Sequence, residues 1–460
     1  MTRYGDILVL GLGRSGVAAA RYGAGLVAEG RATSVTVVDG ADSSQVQTLA
    51  EELRALGVRV ETGVDAVEGR FDLCVASPGI PPHSSLMRSA RTVCERLVSE
   101  IEFAFLESDT PWVAITGTNG KTTTTALTAH LLWAGGIAAR TVGNIGTPAI
   151  AAVGERGPEQ VFVAEVSSFQ LSLTHEFHPR VGVLLNLTPD HIDWHGSLES
   201  YAADKLRIFA NLAEEDLAII DVDDAGSAAH VDDVAARGIP VTRVSLHERH
   251  PLGASVVDGH LVLETRAGEV RLCRTDELLI KGAHNVSNAL AAAAAAHAMG
   301  VSANDLSTGL RSFNAIEHRL EPAGCVGGVE WFNDSKATNP DAVFKAIDAF
   351  AEEPLILLLG GRNKGNDFTE LAVRAAAHAK AVVLFGESRV DLAHAFEGRG
   401  THVVEAVSLA DAVGAAHELA VAGDVVVLSP ACASFDEFTS YEHRGSVFKS
   451  LVGDLEVTSE

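Results

Sequence analysis

The run Ala114-Ile115-Thr116-Gly117-Thr118-Asn119-Gly120-Lys121-Thr122-Thr123 decides how the chain is read. It follows an apolar stretch, Trp112 to Ile115, and precedes a helical one, Thr125 to Leu132. Strand, glycine-rich turn and helix in that order turn backbone N–H groups and a helix N-terminus toward an anion. Gly117 and Gly120 let the backbone approach phosphate oxygens with no Cβ in the way. Lys121 is placed to reach β- and γ-phosphates, and the Thr122 hydroxyl to ligate Mg²⁺. The competing reading is an ordinary strand-to-helix turn with an incidental lysine; the strand and helix on either side weigh against it. The usual phosphate loop opens on a glycine five residues before the Gly-Lys pair, and Ile115 stands at that place. A loop shortened in this way is less typical of motors and GTPases.

The 460 residues suggest about two to four domains, with enough core to fold without disulfides or metals. No apolar run approaches the roughly 20 residues of a membrane span. The N-terminal residues lead straight into a strand, without a signal-peptide pattern. Five scattered cysteines, Cys74, Cys94, Cys273, Cys325 and Cys432, contain no Cys-x-x-Cys pair, which points to a reducing cytosol and away from structural zinc. The formal charge of -26 opposes nucleic-acid binding and is accounted for by solubility. Any nucleotide site must therefore be locally basic.

In the first segment, Asp6 to Leu10 reads as a buried parallel strand. Gly11-Leu12-Gly13-Arg14-Ser15-Gly16, an Ala-rich helix and a strand from Ser34 to Val38 ending at Asp39 complete a Rossmann layout. By itself this says only that a diphosphate fits at the helix N-terminus, and a dehydrogenase stays open. A further strand, Phe71 to Ala76, runs into Ser77-Pro78-Gly79-Ile80 on the same sheet edge. The phosphate loop at Lys121 begins another domain and decides against hydride chemistry.

In the middle segment, Gly143-Asn144-Ile145-Gly146-Thr147-Pro148 forms a turn-rich loop. The strand Val161 to Ala164 carries Glu165 at its end, followed by Ser167, Ser168 and Gln170. A carboxylate there sits where α/β sheets bind ligands, and it could share Mg²⁺ with Thr122. Val181 to Leu185 leads to Asn186-Leu187-Thr188-Pro189-Asp190-His191-Ile192-Asp193-Trp194-His195. His191, at a strand end, is the better candidate ligand; His195 and Asp193 read as solvated loop residues. Tyr201 to Phe209 is an amphipathic helix on which spacing alone makes Lys205 a surface lysine. A hairpin is expected over Ser255 to Arg274, and Asn285 is expected to cap the Ala-rich helix after it, with Asn288 on the same face.

The runs Gly117–Thr123, Glu165–Leu171, Asn186–Asp193 and Tyr201–Phe209, in this order, resemble the Mur ligases, and within them the branch that adds D-glutamate to UDP-N-acetylmuramoyl-L-alanine. The similarity covers essentially the whole chain. It implies a cytosolic, monomeric, ATP-dependent ligase of peptidoglycan synthesis with three α/β domains and no nucleic-acid or membrane partner. These are a Rossmann-like UDP-sugar domain (1–100), a central P-loop ATPase-like domain (101–315) and a Rossmann-like amino-acid domain (316–460).

The resemblance also implies residue roles. ATP falls to Gly117, Thr118, Asn119, Gly120, Lys121, Thr122 and Thr123, to Asn285 and Asn288, and to His318, Arg319, Asp334 and Lys336. The UDP-sugar falls to Gly13, Arg14, Ser15, Asp39, Ser77, Pro78, Gly79, Asn144, Ser167, Gln170 and His191. Two Mg²⁺ ions fall to Thr122, Glu165, His191 and a carbamylated Lys205, with Lys121, His191 and Lys205 serving catalysis. Asp39 is followed by Gly40-Ala41 where some relatives offer larger polar groups to the uracil.

In the third segment, strands at Val329–Phe332, Leu355–Leu359, Ala381–Phe385, His402–Val404 and Asp424–Leu428 alternate with helical runs and lack a dinucleotide fingerprint. The resemblance assigns Thr338, Lys364, Ser434 and Tyr441 to the carboxylates of the incoming amino acid, and Cys432 reads as packing. The implied chemistry is an acyl phosphate made from ATP and captured by the amine. It requires exclusion of water, which suits closure of the third domain over the second about a hinge near Asn314–Glu317. A sister ligase adding another amino acid, such as L-glutamate, is the nearer alternative. The fingerprint domain disfavours a folylpolyglutamate synthetase, and a non-catalytic nucleotide switch would have no use for Lys364 or Ser434.

Overall fold

A computed structural model describes residues 3–155, 157, 161–314 and 316–459, with side chains described through Glu456. Ala315, within the expected hinge, lies outside them. The chain divides into two compact units: Met1–Thr275 with Ser287–Arg311, and Asp276–Val286 with Ser312–Glu460. No helix among the described residues is long and apolar enough to cross a membrane.

The first unit holds two sheets. One comprises β1 (Asp6–Leu10), β2 (Ser34–Asp39), β3 (Arg59–Thr62), β4 (Phe71–Ala76) and β5 (Cys94–Ser99), all parallel, in the order β3-β2-β1-β4-β5. The chain winds outward both ways from β1, so the loops after β1 and β4 diverge and leave a crevice between them. The other sheet comprises β6 (Trp112–Thr116), β7 (Ala139–Gly143), β8 (Val161–Glu165), β9 (Val181–Leu184), β10 (Leu217–Asp221), β11 (Val241–Ser245), β12 (Ala254–Val257), β13 (His260–Thr265) and β14 (Gly268–Arg274). Its order is β14-β13-β12-β11-β10-β9-β6-β8-β7. The expected hairpin is a three-stranded antiparallel meander, β12 to β14, whose first strand joins the parallel sheet through β11. Trp112 to Thr116 are all buried, as a central strand covered on both faces requires.

The helix Glu100–Leu106 joins the two sheets, and three buried or nearly buried carboxylates fasten it. Glu107, just past its end, accepts from Tyr4 Oη, Tyr22 Oη and Arg31 Nη2 at 2.8–2.9 Å. Glu102 accepts from the backbone N–H of Glu176 and Phe177 and from Arg96. Glu100 accepts from Ile150 N at 2.7 Å, while its Oε2 meets no partner among the described residues. A boundary at residue 100 therefore falls at a clamped joint, and both sheets belong to one compact unit.

Burial pushes the Glu100 carboxyl up to about 7, against the pull of the Ile150 and Ala149 N–H groups. Folding then takes up a proton, so this residue's contribution to stability falls as pH rises from about 4.5 to about 7 and is flat above. Glu100→Gln mimics the protonated acid. The variant is expected to lose that slope and to gain roughly 2–3 kcal/mol relative to the parent between pH 5 and pH 8. Melting temperatures across that range test it; parallel pH curves for the two proteins contradict it.

The second unit carries β15 (Glu321–Val326), β16 (Val329–Asn333), β17 (Leu355–Gly360), β18 (Ala379–Phe385), β19 (His402–Glu405) and β20 (Val425–Ala431), in the order β15-β16-β20-β17-β18-β19. Only β15 runs antiparallel, to β16. The core strand β17 is buried throughout, and Leu357 and Leu359 point to the opposite face from Ile356 and Leu358.

Candidate active site

At the carboxyl end of the first sheet, Gly13, Arg14 and Ser15 after β1 and Ser77, Pro78 and Gly79 after β4 line a cleft of about 360 Å³ together with Asp39, Asn144 and Gln170. This is the crevice that the strand order creates. Arg14 reaches across it to donate to Gly146 O at 2.5 Å. Asp39 spends its carboxylate on the turn itself, accepting from Leu12 N at 2.5 Å and Ala41 N at 2.7 Å. Ser167 and Gln170 form a reciprocal cap on the short helix Ser168–Leu171, a Ser-x-x-Gln pattern legible in the sequence.

The phosphate loop leaves β6 with Gly117 at φ 152° and Gly120 at φ 84°. A Cβ at Gly120 would lie 2.5 Å from Asn288 Oδ1, so glycine is required both by backbone and by space. The helix begins at Lys121, and its first N–H groups have no intrahelical acceptor. The Thr118 and Asn119 N–H groups bond Asn186 O at 3.0 Å and Asn186 Oδ1 at 2.8 Å. Those two donors hold the loop to the end of β9, leaving Gly120 onward to face an anion. The Thr118 hydroxyl bridges Thr188 O and Tyr201 Oη.

Strand pairing sets Glu165 beside Ile115 and Gly143. Glu165 is 2% exposed; Oε1 accepts from Asn144 Nδ2 at 2.8 Å, and Oε2 has no partner among the described residues. Thr122 is also buried. His191 sits in the left-handed region at φ 52°, exposed, with Asp190 at 3.4 Å and the Phe169 ring edge-on. Desolvation lowers its pKa, opposed by Asp190 and assisted by Lys121 and Lys205.

Lys205 is not the surface lysine its spacing suggests. It is 2% exposed, its Nζ donates to Gly117 O at 2.8 Å, and it lies 4.7 Å from the centre of the Tyr201 ring. Lys121 Nζ donates to that same carbonyl at 2.9 Å and to Thr118 O at 2.8 Å. Burial, then Lys121, hold Lys205 well below the ordinary lysine range. The side chain of His195, expected in solvent, is buried as well.

In the second unit, the residues assigned from sequence gather at the carboxyl ends of β16, β17 and β20. Asp334 is buried, accepts from Ser429 Oγ at 2.8 Å and is pushed up to about 7 by that burial. Lys336 Nζ lies 5.2 Å from the centre of the Tyr441 ring, and His318 meets the same ring edge-on. His318 takes φ 65°, stabilised by its Nδ1 contact with Asn333 Nδ2 at 2.9 Å and by Glu321 on its N–H. Thr338 and Tyr441 are partly buried, Ser434 is buried, and Lys364 is exposed on the loop after β17. Asn285 does not cap its helix: the helix starts at Ala283, and the Asn285 amide donates back to Lys281 O at 2.7 Å. Cys432 is buried, with its thiol pushed up to about 11 by burial, which leaves it no nucleophilic character.

Sequence reasoning missed Arg444. Its guanidinium, wholly buried, donates to Ser335 Oγ and O, Cys432 O and Gly360 O. One side chain thereby fastens the three loops that carry Thr338, Lys364 and Ser434. Its position on a helix gave no signal, because its acceptors are assembled only by the fold.

Among the described residues, no three His, Cys, Asp or Glu side chains form a group that could hold a metal alone. A site combining one orphaned carboxylate oxygen with a phosphate loop instead suits an ion that takes part of its oxygen shell from a nucleotide.

Comparison with known proteins identifies the family. A model of the Mur ligase middle domain matches residues 115–296, and one of the Mur ligase, glutamate ligase domain matches residues 318–432. The UDP-N-acetylmuramoylalanine--D-glutamate ligase of Pelotomaculum thermopropionicum is 42% identical over 98% of this chain and 97% of its own. That of Koribacter versatilis is 41% identical over 97% and 96%. Among solved structures, MurF from Acinetobacter baumannii aligns with a TM-score of 0.62 at 17% identity, covering 92% of this chain and 90% of that one, and shares its fold. Carrying both domains and matching such relatives from end to end, the chain belongs to the Mur ligase family.

Proposed function

We propose that the protein is an ATP-dependent ligase that joins D-glutamate to UDP-N-acetylmuramoyl-L-alanine in the cytoplasm, releasing ADP and phosphate, and that it acts as a monomer. The observation that carries this reading is the 42% identity to a ligase of that name over 98% of the chain. Three functional domains, 1–100, 101–315 and 316–460, divide the work.

The UDP-sugar is assigned to the cleft at Gly13, Arg14, Ser15, Asp39, Ser77, Pro78, Gly79, Asn144 and Gln170, with Ser167 on the adjoining cap and His191 toward its reacting end; Asp39 also holds the turn. ATP is assigned to Gly117–Thr123 and Asn288 in the first unit, and to Asn285, His318, Arg319, Asp334 and Lys336 in the second. Thr122 and Glu165 would hold one Mg²⁺, and His191 with carbamylated Lys205 a second; the free Glu165 Oε2 fits this donor role. When bound, Mg²⁺ offsets the negative charge of the phosphates.

The carboxylate of the UDP-sugar substrate attacks the γ-phosphate, forming an acyl phosphate and ADP, with Lys121 opposing the charge on the transferring group. The amine of D-glutamate, held through Thr338, Lys364, Ser434 and Tyr441, then attacks the acyl carbon. The tetrahedral intermediate collapses with loss of phosphate, and the amine gives up its proton. Acyl phosphates hydrolyse, so a site that keeps water away is part of the requirement.

Phosphate release with UDP-N-acetylmuramoyl-L-alanine and a panel of D- and L-amino acids tests the assignment. D-glutamate alone is expected to sustain turnover; preference for L-glutamate or another amino acid would make the chain a sister ligase. Lys364→Ala is expected to raise KM for D-glutamate by roughly one to two orders of magnitude, the worth of a charge-assisted hydrogen bond of about 1.5–3 kcal/mol, and to leave KM for ATP unchanged. A rise in KM for ATP instead would move the amino-acid pocket elsewhere.

A further inference from the structure

Three segments of the assigned site meet on a side chain to which that assignment gives no role. The His195 side chain is 2% exposed. Its ring lies parallel to Phe169, centroids 5.4 Å apart, and edge-on to Tyr201 at 5.3 Å. Nε2 stands 3.0 Å from Ser168 Oγ, and Nδ1 stands 2.9 Å from Asp204 Oδ2. An ionised carboxylate only accepts, so Nδ1 carries a proton, and in the neutral imidazole Nε2 accepts the Ser168 hydroxyl. The chain Ser168–His195–Asp204 has the order of a hydrolase triad, but Ser168 is 2% exposed and opens no path to a substrate carbonyl. Its use lies in what it connects.

Ser168 begins the short helix capped by Ser167 and Gln170. Asp204 immediately precedes Lys205 on the helix Leu198–Leu206, and His195 ends the short helix that follows His191. Each end of the hydrogen-bonded chain is thus one residue from a group assigned to substrate or metal. The stacked Phe169 ring and the edge-on Tyr201 ring remove the freedom His195 would need to swing away.

We propose that His195 is a positioning residue for the ligase reaction, fixing the Ser167–Gln170 turn against the helix that carries Lys205. The proposal rests on the ligase assignment. Misplacing reacting groups by about 1 Å costs on the order of 10²-fold in rate, and the imidazole is the only bridge between these two side chains among the described contacts.

The test compares the parent enzyme with His195→Ala, Ser168→Ala, the double variant and His195→Asn, by steady-state kinetics and thermal melting. His195→Ala is expected to lower kcat by about 10- to 100-fold while KM for D-glutamate stays within about twofold. The double variant should be no worse than His195→Ala alone, because both remove the same connection; independent losses of packing would multiply. His195→Asn keeps a donor at the Nδ1 position and should recover part of the rate. If His195→Ala is insoluble, Ser168→Ala, which deletes one hydroxyl, carries the same expectation of reduced kcat. A folded His195→Ala with kcat within twofold of the parent overturns the proposal, as do multiplying losses in the double variant. A parent enzyme without turnover refutes the ligase reading itself.

Discussion

Lys121→Ala is expected to abolish ligation, with kcat falling by roughly 10³-fold or more, and to leave the fold in place. Removing a cation from a transferring phosphoryl group forfeits stabilisation that exists mainly in the transition state, so the loss appears in kcat. The lysine ammonium now rests on Gly117 O and Thr118 O. Gly117 O keeps a second donor in Lys205 Nζ, and the loop stays tied to Asn186 through Asn119. Each lost ammonium–carbonyl bond is worth at most about 1.5–3 kcal/mol, so melting should shift by several degrees with the fold still in place. Phosphate release and a thermal melt on the same preparation separate the two effects. Undiminished ATP-dependent ligation would remove Lys121 from the mechanism.

The strands that build the three sheets were largely legible, because a strand buried on both faces is an apolar run whatever its neighbours. Asp6–Leu10 and Phe71–Ala76 end where the sequence places them. Edge strands were legible only in part: the one at His402–Glu405 was expected, the one at Cys94–Ser99 was not. Cys94–Ser99 mixes Glu and Arg with Leu and Val, and its hydrogen bonds to β4 leave no trace in composition. The phosphate loop and the strand-end Glu165 were readable because glycine spacing and chain direction are local facts.

Residues whose burial is imposed by distant segments were not legible as such. Glu100, Glu102 and Glu107 look like a solvated acidic helix; the fold turns them into acceptors for backbone amides, tyrosines and arginines. His195 and Arg444 follow the same rule, each satisfied by partners from elements far along the chain. Polar residues become site architecture through tertiary contacts, and hydropathy patterning does not report those contacts.

Lys205 is the sharpest case, and its replacement carries the second large effect. The ammonium is buried beside Lys121, with one carbonyl shared between them, and its pKa is lowered by burial and by that neighbour. A depressed lysine pKa frees the amine at neutral pH, and a free amine is the form that reacts with CO₂. Reaction exchanges a cation for a carbamate anion. That reverses an unfavourable arrangement, since an unmodified ammonium at this place would repel a Mg²⁺ near His191. Both Lys205→Ala and Lys205→Arg are therefore expected to lose activity by roughly 10²- to 10³-fold, although arginine preserves the charge of a lysine. Arginine stays protonated, cannot become a carbamate, and must place a larger planar group beside Tyr201. NMR with labelled bicarbonate should show one carbamate carbon per chain in the parent and none in either variant. An arginine variant at full activity would mean that the residue serves only as a buried cation bonded to Gly117 O, and that metal binding on this side of the site relies on His191 and the nucleotide alone.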